Sequence, residues 1–576
     1  MISGLNPGFL LMAGALLIPL LPRLLRQGWL VALPLLSAAQ LLTLDRGDRG
    51  EVTLAGVTLH TLFVDDLSFT FALVFHLALL LGSIFALKVE DATQHVSAVL
   101  YGGAAIAACL ARDLVTLFIC WEVVAVASAF LIWAQRTPRA YQTGMRYLAW
   151  QILSGLLLLA GILALVVERG GPAKLTGPLV FEALPLDGAA GWLILLAFGI
   201  KAAFPALHTW LSDAYPEATP TGAVFLSGFT SKLAVYALAR AFAGQEVLVY
   251  VGAAMAIFPI FFAVIENDLR RVLAYSLINQ VGFMVVGVGI GGLGVSGAAA
   301  HAFAHVIYKG LLFMSTGAVL FRTGTADANQ LGGLYRTMPF TAVCCMIGAA
   351  SISAFPLFSG FAAKSLIMVA VAEDHRPGVW FLLLFAAAGV FHHAGIKVPF
   401  FAFFGHDSGK RPPEAPWNMC LAMGLAAALC IGIGCYPPVL YAILPGPITA
   451  DYAVYTAAHV ITQLQLLLFS ALAFCVLMLS GRYPPELTST NLDVDWLWRR
   501  PGRVVWRELT GPIAANFGRL QALLLEGLPA AVSRAVMRPL RVDGLAARFW
   551  AMRTSVLVTV VLLLAYLLVG AVHAAR

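Results

Sequence analysis

Apolar runs long enough to cross a lipid bilayer recur along almost the whole chain. A spanning helix needs about 17–25 such residues, so the runs predict an all-α polytopic membrane protein with about 14–16 transmembrane helices. Only 11% of the residues are charged, against about 25% in a soluble domain, so the bilayer must be the solvent for most of the fold. The runs lie near 5–21, 28–44, 67–88, 95–111, 114–134, 144–167, 190–212, 219–243, 246–265, 272–292, 296–321, 340–368, 377–404, 417–440, 459–480 and 554–574.

Basic residues in the short loops predict the orientation, because cytoplasmic loops are enriched in lysine and arginine. With the N-terminus outside, the cytoplasmic loops contain Arg23, Arg26, Lys88, Arg136, Arg139, Arg146, Arg270, Arg271, Arg322, Arg336, Lys410 and Arg411. The opposite loops contain fewer, namely Arg46, Arg49, Arg112, Arg169, Lys174, Arg240 and Arg376. We therefore expect a multi-pass protein of the cell inner (plasma) membrane with both termini outside.

Residues 483–553 differ from everything before them. Arginines and tryptophans alternate there with apolar residues, a pattern typical of amphipathic helices that lie in the membrane interface. We expect Pro512, Pro529 and Pro539 to break these helices and the segment to bind anionic lipid on the cytoplasmic side. The net charge of +7 does not indicate nucleic-acid binding, because no basic-aromatic binding module occurs. The residues are Arg499, Arg500, Arg503, Arg507, Arg519, Arg534, Arg538, Arg541, Arg548, Trp496, Trp498 and Trp506.

The sequence predicts no cofactor and no metal site. The eight cysteines fall in or beside apolar runs, and none forms a Cys-x-x-Cys pair or a Cys/His spacing suited to a metal. The glycines between Gly287 and Gly292 lie in or at the end of an apolar span rather than after a strand, so they do not form a dinucleotide-binding loop. We therefore expect the chain to carry out no redox chemistry of its own.

Ionisable residues inside the apolar runs are the most informative feature for function. Each costs about 2.5–3.5 kcal/mol at the centre of a membrane helix, so several together indicate use in a transport path. A buried lysine near a carboxylate can gain and lose a proton near neutral pH. The candidates for ion translocation are Glu122, Lys201, Lys232, His301, His305, Lys309, Lys364 and Lys397.

Two groups of ionisable residues are spaced by four residues along the sequence. His301, His305 and Lys309 are spaced by four residues and therefore form one stripe on one helix face. His393 and Lys397 have the same spacing, and they form either the outlet of the path or a pair near a helix end that reaches for the interface.

Two proline-containing segments resemble distant copies of each other. One reads Gly-Ile-Lys-Ala-Ala-Phe-Pro and ends at Pro205, and the other reads Ser-Ile-Ser-Ala-Phe-Pro and ends at Pro356. A proline within a span frees backbone carbonyls, which is tolerated only where protein or water satisfies them. Paired broken helices in corresponding parts of a chain are typical of transporters built from repeats.

Several longer motifs resemble those of antiporter-like membrane subunits, found in Mrp antiporters, respiratory complex I and membrane-bound hydrogenases. The run Asp113 to Phe118 followed by Trp121-Glu122 is similar to the family's "NDLFTLFxxWE". Residues 201–221 resemble "KxxxxPxHxWLPDAHxxAPTP", 268–282 resemble "DLKRLLAYSSISQIG", 301–313 resemble "HxxxHAxFKALLF", and 359–364 resemble "SGFxSK". The segment 227–238 resembles the Mrp D subunit more than it resembles the largest complex I subunit. Since these motifs follow in the family's order, the chain is identified as a member.

The resemblance implies a role for each candidate. Glu122 corresponds to the glutamate that modulates the lysine of the first broken helix, here Lys201, and Lys232 corresponds to a relay lysine. The stripe of His301, His305 and Lys309 corresponds to the central relay, and Lys364 to the terminal lysine of the second broken helix.

The expected organisation has six parts: N-terminal helices (1–110), a first antiporter-like repeat (111–245), a second (246–405), C-terminal helices (406–482), the basic interfacial segment (483–553) and a final helix (554–576). Three functions remain open. The first is the proton-conducting subunit of a Na⁺ or K⁺/proton antiporter. The second is the proton-pumping subunit of a redox complex of the NADH-quinone oxidoreductase or membrane-bound hydrogenase type. The third is a membrane anchor that moves no ion. The first two imply other membrane subunits as partners.

Overall fold

The computed structural model describes residues 4–54, 57–171, 178–446, 448, 452–484, 491–528, 530–531, 534 and 552–574. Among these residues, ten helices are long and apolar enough to cross a membrane, and four shorter apolar helices accompany them. The prediction of an all-α polytopic fold is therefore confirmed. The chain forms two compact units, Met1–Asn491 and Leu492–Arg576.

The first part of the large unit contains six helices and a β-hairpin. The helices are α1 (Pro7–Ala15), α2 (Arg23–Thr43), α3 (Asp66–Ala86), α4 (Ala92–Cys109), α5 (Leu114–Trp133) and α6 (Pro138–Glu168), and the strands are β1 (Gly47–Leu54) and β2 (Val57–Val64). Polar caps define where the spans begin. Asp113 accepts hydrogen bonds from the N–H groups of Val115 and Thr116 at the start of α5. Such caps contribute about 1 kcal/mol each.

The hairpin is absent from our sequence predictions, which followed apolar runs only. Its strands pair antiparallel, for example Val52 with Leu59 and Thr53 with Thr58. The segment Val-Thr-Leu-His-Thr-Leu-Phe-Val is rich in β-branched residues, which favour strands. Backbone bonds from Phe63 N to Leu110 O at 2.7 Å and from Arg112 N to His60 O at 3.0 Å fix the hairpin against the loop before α5.

The central part of the large unit holds the candidate residues other than Glu122, which lies on α5, and Lys397, which lies further along the chain. Its helices are α7 (Ala189–Ala202), α8 (Thr209–Ala214), α9 (Gly222–Gly228), α10 (Thr230–Phe242), α11 (Glu246–Ile265), α12 (Leu269–Ile290), α13 (Leu293–Thr323), α14 (Pro339–Ile352) and α15 (Ser359–Glu373). Helix α13 lies at the centre, where it packs against α3, α9, α10, α12, α14, α15 and the later helix α17 (Trp417–Cys435).

The large unit ends with α16 (Pro377–Val390), two π-helical segments (Phe391–Lys397 and Phe400–Phe404), α17, α18 (Pro438–Tyr441) and α19 (Ala457–Leu479). Two of the predicted spans differ from the structure. The run near 5–21 forms α1 followed by a 3₁₀ turn at Ile18–Leu20, and the run near 417–440 ends as a helix at Cys435. Proline residues interrupt both runs, at Pro19 and at Pro437.

The small unit contains α20 (Trp496–Arg499), α21 (Pro501–Ala522), a π-helical turn at Leu523–Gly527 and α22 (Met552–Ala574). The predicted break at Pro512 is wrong, because the backbone of α21 stays helical through that position. A proline removes one backbone hydrogen bond, and the turns on either side of it keep theirs. The predicted breaks at Pro529 and Pro539 lie outside the described residues.

Candidate proton path

The two proline-containing segments have the same backbone geometry. Between α7 and α8, Ala203 and Ala206 adopt positive φ angles of 67° and 68° on either side of Pro205, and between α14 and α15 Ala354 and Leu357 adopt 56° and 73° around Pro356. Left-handed backbone costs a non-glycine residue about 1–2 kcal/mol. The closing hydrogen bonds also match: Phe204 N to Gly199 O and Phe355 N to Ala350 O are both 2.9 Å.

Lys201 lies in the last turn of α7, directly before the first interruption. Its side chain is fully buried. The Nζ atom donates a hydrogen bond of 2.7 Å to the carbonyl oxygen of Trp121 on α5, and it lies 4.2 Å from the centre of the Trp121 ring. The carbonyl and the ring face both stabilise a cation. This arrangement stabilises the charged form of Lys201 inside the helix bundle.

Glu122 directly follows Trp121 on α5. The carboxylate therefore belongs to the residue next to the one that accepts the Lys201 hydrogen bond. Its side chain is half-buried, and its Oε1 atom has no hydrogen-bond partner among the described residues. The carboxylate packs against Gly155 of α6 so closely that a Cβ atom at 155 would lie 1.5 Å from Oε1. A side chain at position 155 would therefore displace the carboxylate.

Lys232 lies beside an irregular point in the next span. The helix is interrupted at Phe229, where α9 gives way to α10. The Nζ atom donates to the carbonyl oxygen of Ser227 at 2.7 Å and to the hydroxyl of Ser231 at 3.3 Å. Lys232 is fully buried, so the carbonyl at the end of α9 supplies the polar partner that burial requires.

The stripe of His301, His305 and Lys309 lies on α13 and is completely buried. Both ring nitrogens of His305 and the Nζ atom of Lys309 have no hydrogen-bond partner among the described residues. The rings of His301 and His305 are 6.1 Å apart. An unpartnered polar group in an apolar interior costs about 2–7 kcal/mol. Bound water is the partner that satisfies such groups in folded proteins.

Sequence reasoning did not find the polar residues that extend this stripe. The hydroxyl of Tyr308 lies 3.5 Å from Nε2 of His301 and donates to Oε1 of Gln280 at 3.2 Å. Gln280 in turn donates to Asn279 at 2.6 Å, and Asn279 donates to the carbonyl oxygen of Ala256. Asparagine and glutamine in a span carry no charge, so a search for ionisable residues passes over them.

Lys364 lies on α15, after the second interruption. Its Nζ atom donates to the carbonyl oxygen of Ile352, the last residue of α14, at 3.1 Å. It also lies 4.9 Å from the ring centre of Phe283, which is 6.2 Å from the ring of His301. Through Phe283 of α12, Lys364 beside the second interruption therefore lies close to the histidine stripe.

His393 and Lys397 occupy a π-helical segment and are both buried. Single π-helical turns often mark functional sites. Lys397 donates to the carbonyl oxygens of Val264 and Glu266 at 2.6 and 2.5 Å, at the end of α11. His393 contacts the backbone of Gly389, one turn earlier in the chain. Lys397 thus caps a helix, and His393 lies buried in the same π-helical segment.

A cluster of ion pairs joins the 3₁₀ turn after α8, Tyr215–Glu217, to the first turns of α6 and α12. Arg270 is buried and donates to four carbonyl oxygens of residues 215–219 at 2.9–3.2 Å. Glu217 pairs with Arg139 at 2.8 Å and with Arg271 at 3.9 Å. Burial raises the pKa of Glu217 although both arginines favour its charged form. Among the described residues, no group of His, Cys, Asp and Glu is arranged to hold a metal ion.

Comparison with known proteins identifies a family for the central part of the chain. Residues 111–392 match the family described as NADH:quinone oxidoreductase/Mrp antiporter, transmembrane region. The matched part of the chain belongs to that family. The matched range begins just before α5 and ends within the π-helical segment, so it includes both interruptions and all the candidates except His393 and Lys397.

Two curated relatives are named as parts of larger assemblies. Hydrogenase-4 component B of Escherichia coli is 28% identical over 84% of this chain and 77% of its own length. An Na⁺/H⁺ antiporter subunit of Alkalihalophilus pseudofirmus is 30% identical over 66% of this chain, but the match spans only 53% of that relative.

A solved structure shares the fold over nearly the full length. A chain of the archaeal membrane-bound sulfane sulfur reductase superposes with a TM-score of 0.70 at 21% identity, covering 98% of this chain and 99% of that chain. The antiporter-like fold of this protein therefore also occurs within a respiratory membrane complex.

Proposed function

We propose that this chain is the proton-conducting subunit of a multi-subunit membrane complex. The observation that carries the proposal is the fully buried His305–Lys309 pair, whose side-chain nitrogens have no partner among the described residues. Such groups are costly in a bilayer and are retained where they serve a path. The path consists of Glu122, Lys201, Lys232, His301, His305, Lys309 and Lys364, with His393 and Lys397 at its far end.

The surroundings of the lysines support a mechanism in which charge moves stepwise. Lys201, Lys232 and Lys364 each donate to a main-chain carbonyl. The carbonyls that accept from Lys232 and Lys364 lie at the ends of α9 and α14. A carbonyl stabilises the ammonium form, while burial and neighbouring positive charges favour the neutral amine. Positive charges repel strongly in a low-dielectric interior. A proton that binds to one lysine therefore favours the release of a proton from the next lysine.

The complex that we favour is a Na⁺ or K⁺/proton antiporter. The similarity of the core to an Na⁺/H⁺ antiporter subunit supports this choice. In this view the buried relay supplies the proton half of the exchange, and other subunits contribute to the cation half. We further propose that the protein lies in the cell inner membrane with its N-terminus outside, and that the basic segment 483–553 contacts anionic lipid on the cytoplasmic face.

A redox-driven complex is the second candidate, favoured by a separate observation. The hydrogenase component aligns with 84% of this chain, and the sulfur reductase chain shares the fold over 98% of it, a range that includes the small unit. In such a complex this chain would move protons while its partners carried out the electron transfer. A membrane anchor without transport is disfavoured, because an anchor has no use for buried lysines.

Purification of the complex in mild detergent separates these alternatives. Small antiporter subunits without iron–sulfur proteins would support the antiporter, and iron–sulfur or hydrogenase subunits would support the redox complex. In liposomes, the isolated chain should not carry out cation-coupled proton transport. Full coupled transport by the single chain would contradict the assignment as one part of a larger complex.

A further inference from the structure

A file of polar side chains follows one face of α6, the helix beside the Lys201 site. Thr143, Tyr147, Gln151 and Ser154 are spaced by three or four residues, so they lie on the same side of the helix. All four are at most 1% exposed. Residues on the outward face are apolar, such as Ile152, which is 40% exposed. Polar residues buried on a membrane helix are costly, so they either pair with other polar groups or line a path for ions or water.

One end of this file reaches the ion pair between α6 and α8. Thr143 accepts a hydrogen bond of 2.7 Å from Arg146, and Arg146 also pairs with Asp213 at 2.8 Å. The Arg146 side chain is 38% exposed, so this end of the file lies at the protein surface.

The inner end of the file reaches Lys201. The hydroxyl of Ser154 accepts a bond of 3.0 Å from the Trp121 indole and donates to the carbonyl of Ala197 at 2.7 Å. Trp121 is the residue whose carbonyl holds the Lys201 ammonium. With a rise of about 1.5 Å per residue, Thr143 and Ser154 are about 16 Å apart along the axis. This is about half the thickness of the hydrocarbon core.

Gln151 occupies the middle of the file and is fully buried. Neither its amide nitrogen nor its amide oxygen has a partner among the described residues. Its neighbour Tyr147 donates to the hydroxyl of Ser128 at 2.8 Å. Leaving an amide unpartnered in an apolar interior costs about 2–7 kcal/mol. Water is the small molecule that can both donate to and accept from such an amide.

We propose that Thr143, Tyr147, Gln151 and Ser154 line a narrow, water-filled path that carries protons between the protein surface at Arg146–Asp213 and Lys201. The proposal rests on the proposed function of Lys201 and names the route by which that lysine exchanges protons. Gln151 is a positioning residue, because an amide does not titrate and therefore orders the water without storing a proton.

Cysteine accessibility in native membranes tests the path without relying on turnover. The native cysteines are first replaced, and single substitutions are treated with silver ion, which reacts with thiolates in water-filled spaces. Gln151→Cys and Tyr147→Cys should react at least about tenfold faster than two controls on α6. The controls are Ile152→Cys, which faces outward at the same depth, and Leu158→Cys, which is fully buried one turn beyond Ser154.

Inert thiols at 147 and 151, together with a reactive Thr143→Cys variant, would overturn the path. A second measurement uses Gln151→Leu, which keeps the volume and removes the amide. Proton transport by the assembled complex should fall at least about tenfold, a barrier increase of about 1.4 kcal/mol, while Ile152→Ala transports normally. Unchanged transport by Gln151→Leu would also overturn the proposal. Reactive cysteines together with normal transport by Lys201→Ala would instead refute the proposed function.

Discussion

Replacing Gly155 by alanine should disturb proton transport through a single steric contact. The added Cβ would lie 1.5 Å from Oε1 of Glu122 and 2.6 Å from its carboxyl carbon. Ordinary contacts are about 3.5–4.0 Å, so the carboxylate must move by about 2 Å. The carboxylate is the far end of a flexible side chain, so its displacement costs the fold little and the effect falls on transport. We expect proton transport in inverted membrane vesicles to fall about tenfold or more, because the carboxylate leaves its place beside the Lys201 contact.

A shorter acid at position 122 should relieve the same clash. The double variant Gly155→Ala with Glu122→Asp withdraws the carboxylate by about one methylene, so it should transport protons better than Gly155→Ala alone. Such non-additivity is the sign of direct contact. Gly161→Ala is the matched control on α6, because its Cβ would meet the Ile194 side chain of α7 at 2.5 Å, away from Glu122. Normal transport by Gly155→Ala, or strictly additive effects in the double variant, would refute the steric argument.

Three further predictions concern stability and topology. Ala203→Gly should raise the free energy of unfolding by about 1 kcal/mol, since glycine adopts positive φ without strain. A lower melting temperature would contradict this. Lys397→Met removes the ammonium that binds the carbonyls at the end of α11, so it should destabilise the protein by about 1–3 kcal/mol in denaturation assays; unchanged stability would disprove the capping role. Cysteines introduced in segment 483–553 should react with impermeant reagents from the cytoplasmic side, and reaction only from outside would refute the orientation.

The sequence was sufficient to predict most of the spans and the burial of the lysines, because both depend on local composition. Apolar length is decided within each run, and a lysine such as Lys309 stands out against apolar neighbours. The interruptions around Pro205 and Pro356 were also visible as local motifs. The β-hairpin was missed because a search for apolar runs does not test for alternation over eight residues.

Other parts of the site depend on packing between helices and could not be predicted from one segment. Gly155 is one of many glycines in the chain, and its importance arises only because α5 places Glu122 against it. Tyr308 and Gln280 became significant when α12 and α13 brought them together. The helix continued through Pro512, although proline alone favours a break, because one missing hydrogen bond does not outweigh the flanking turns.

Lys201→Ala tests the central claim most directly. Lys201 is the buried cation before the first interruption, and the alanine variant removes its exchangeable proton. Proton movement is measured in inverted vesicles, driven by added Na⁺ or K⁺ or by the electron donor of the complex, after assembly has been verified. We predict that Lys201→Ala nearly abolishes transport and that Lys201→Arg fails as well, because arginine does not release its proton. Near wild-type transport by an assembled Lys201→Ala complex would contradict the proton path proposed for this protein.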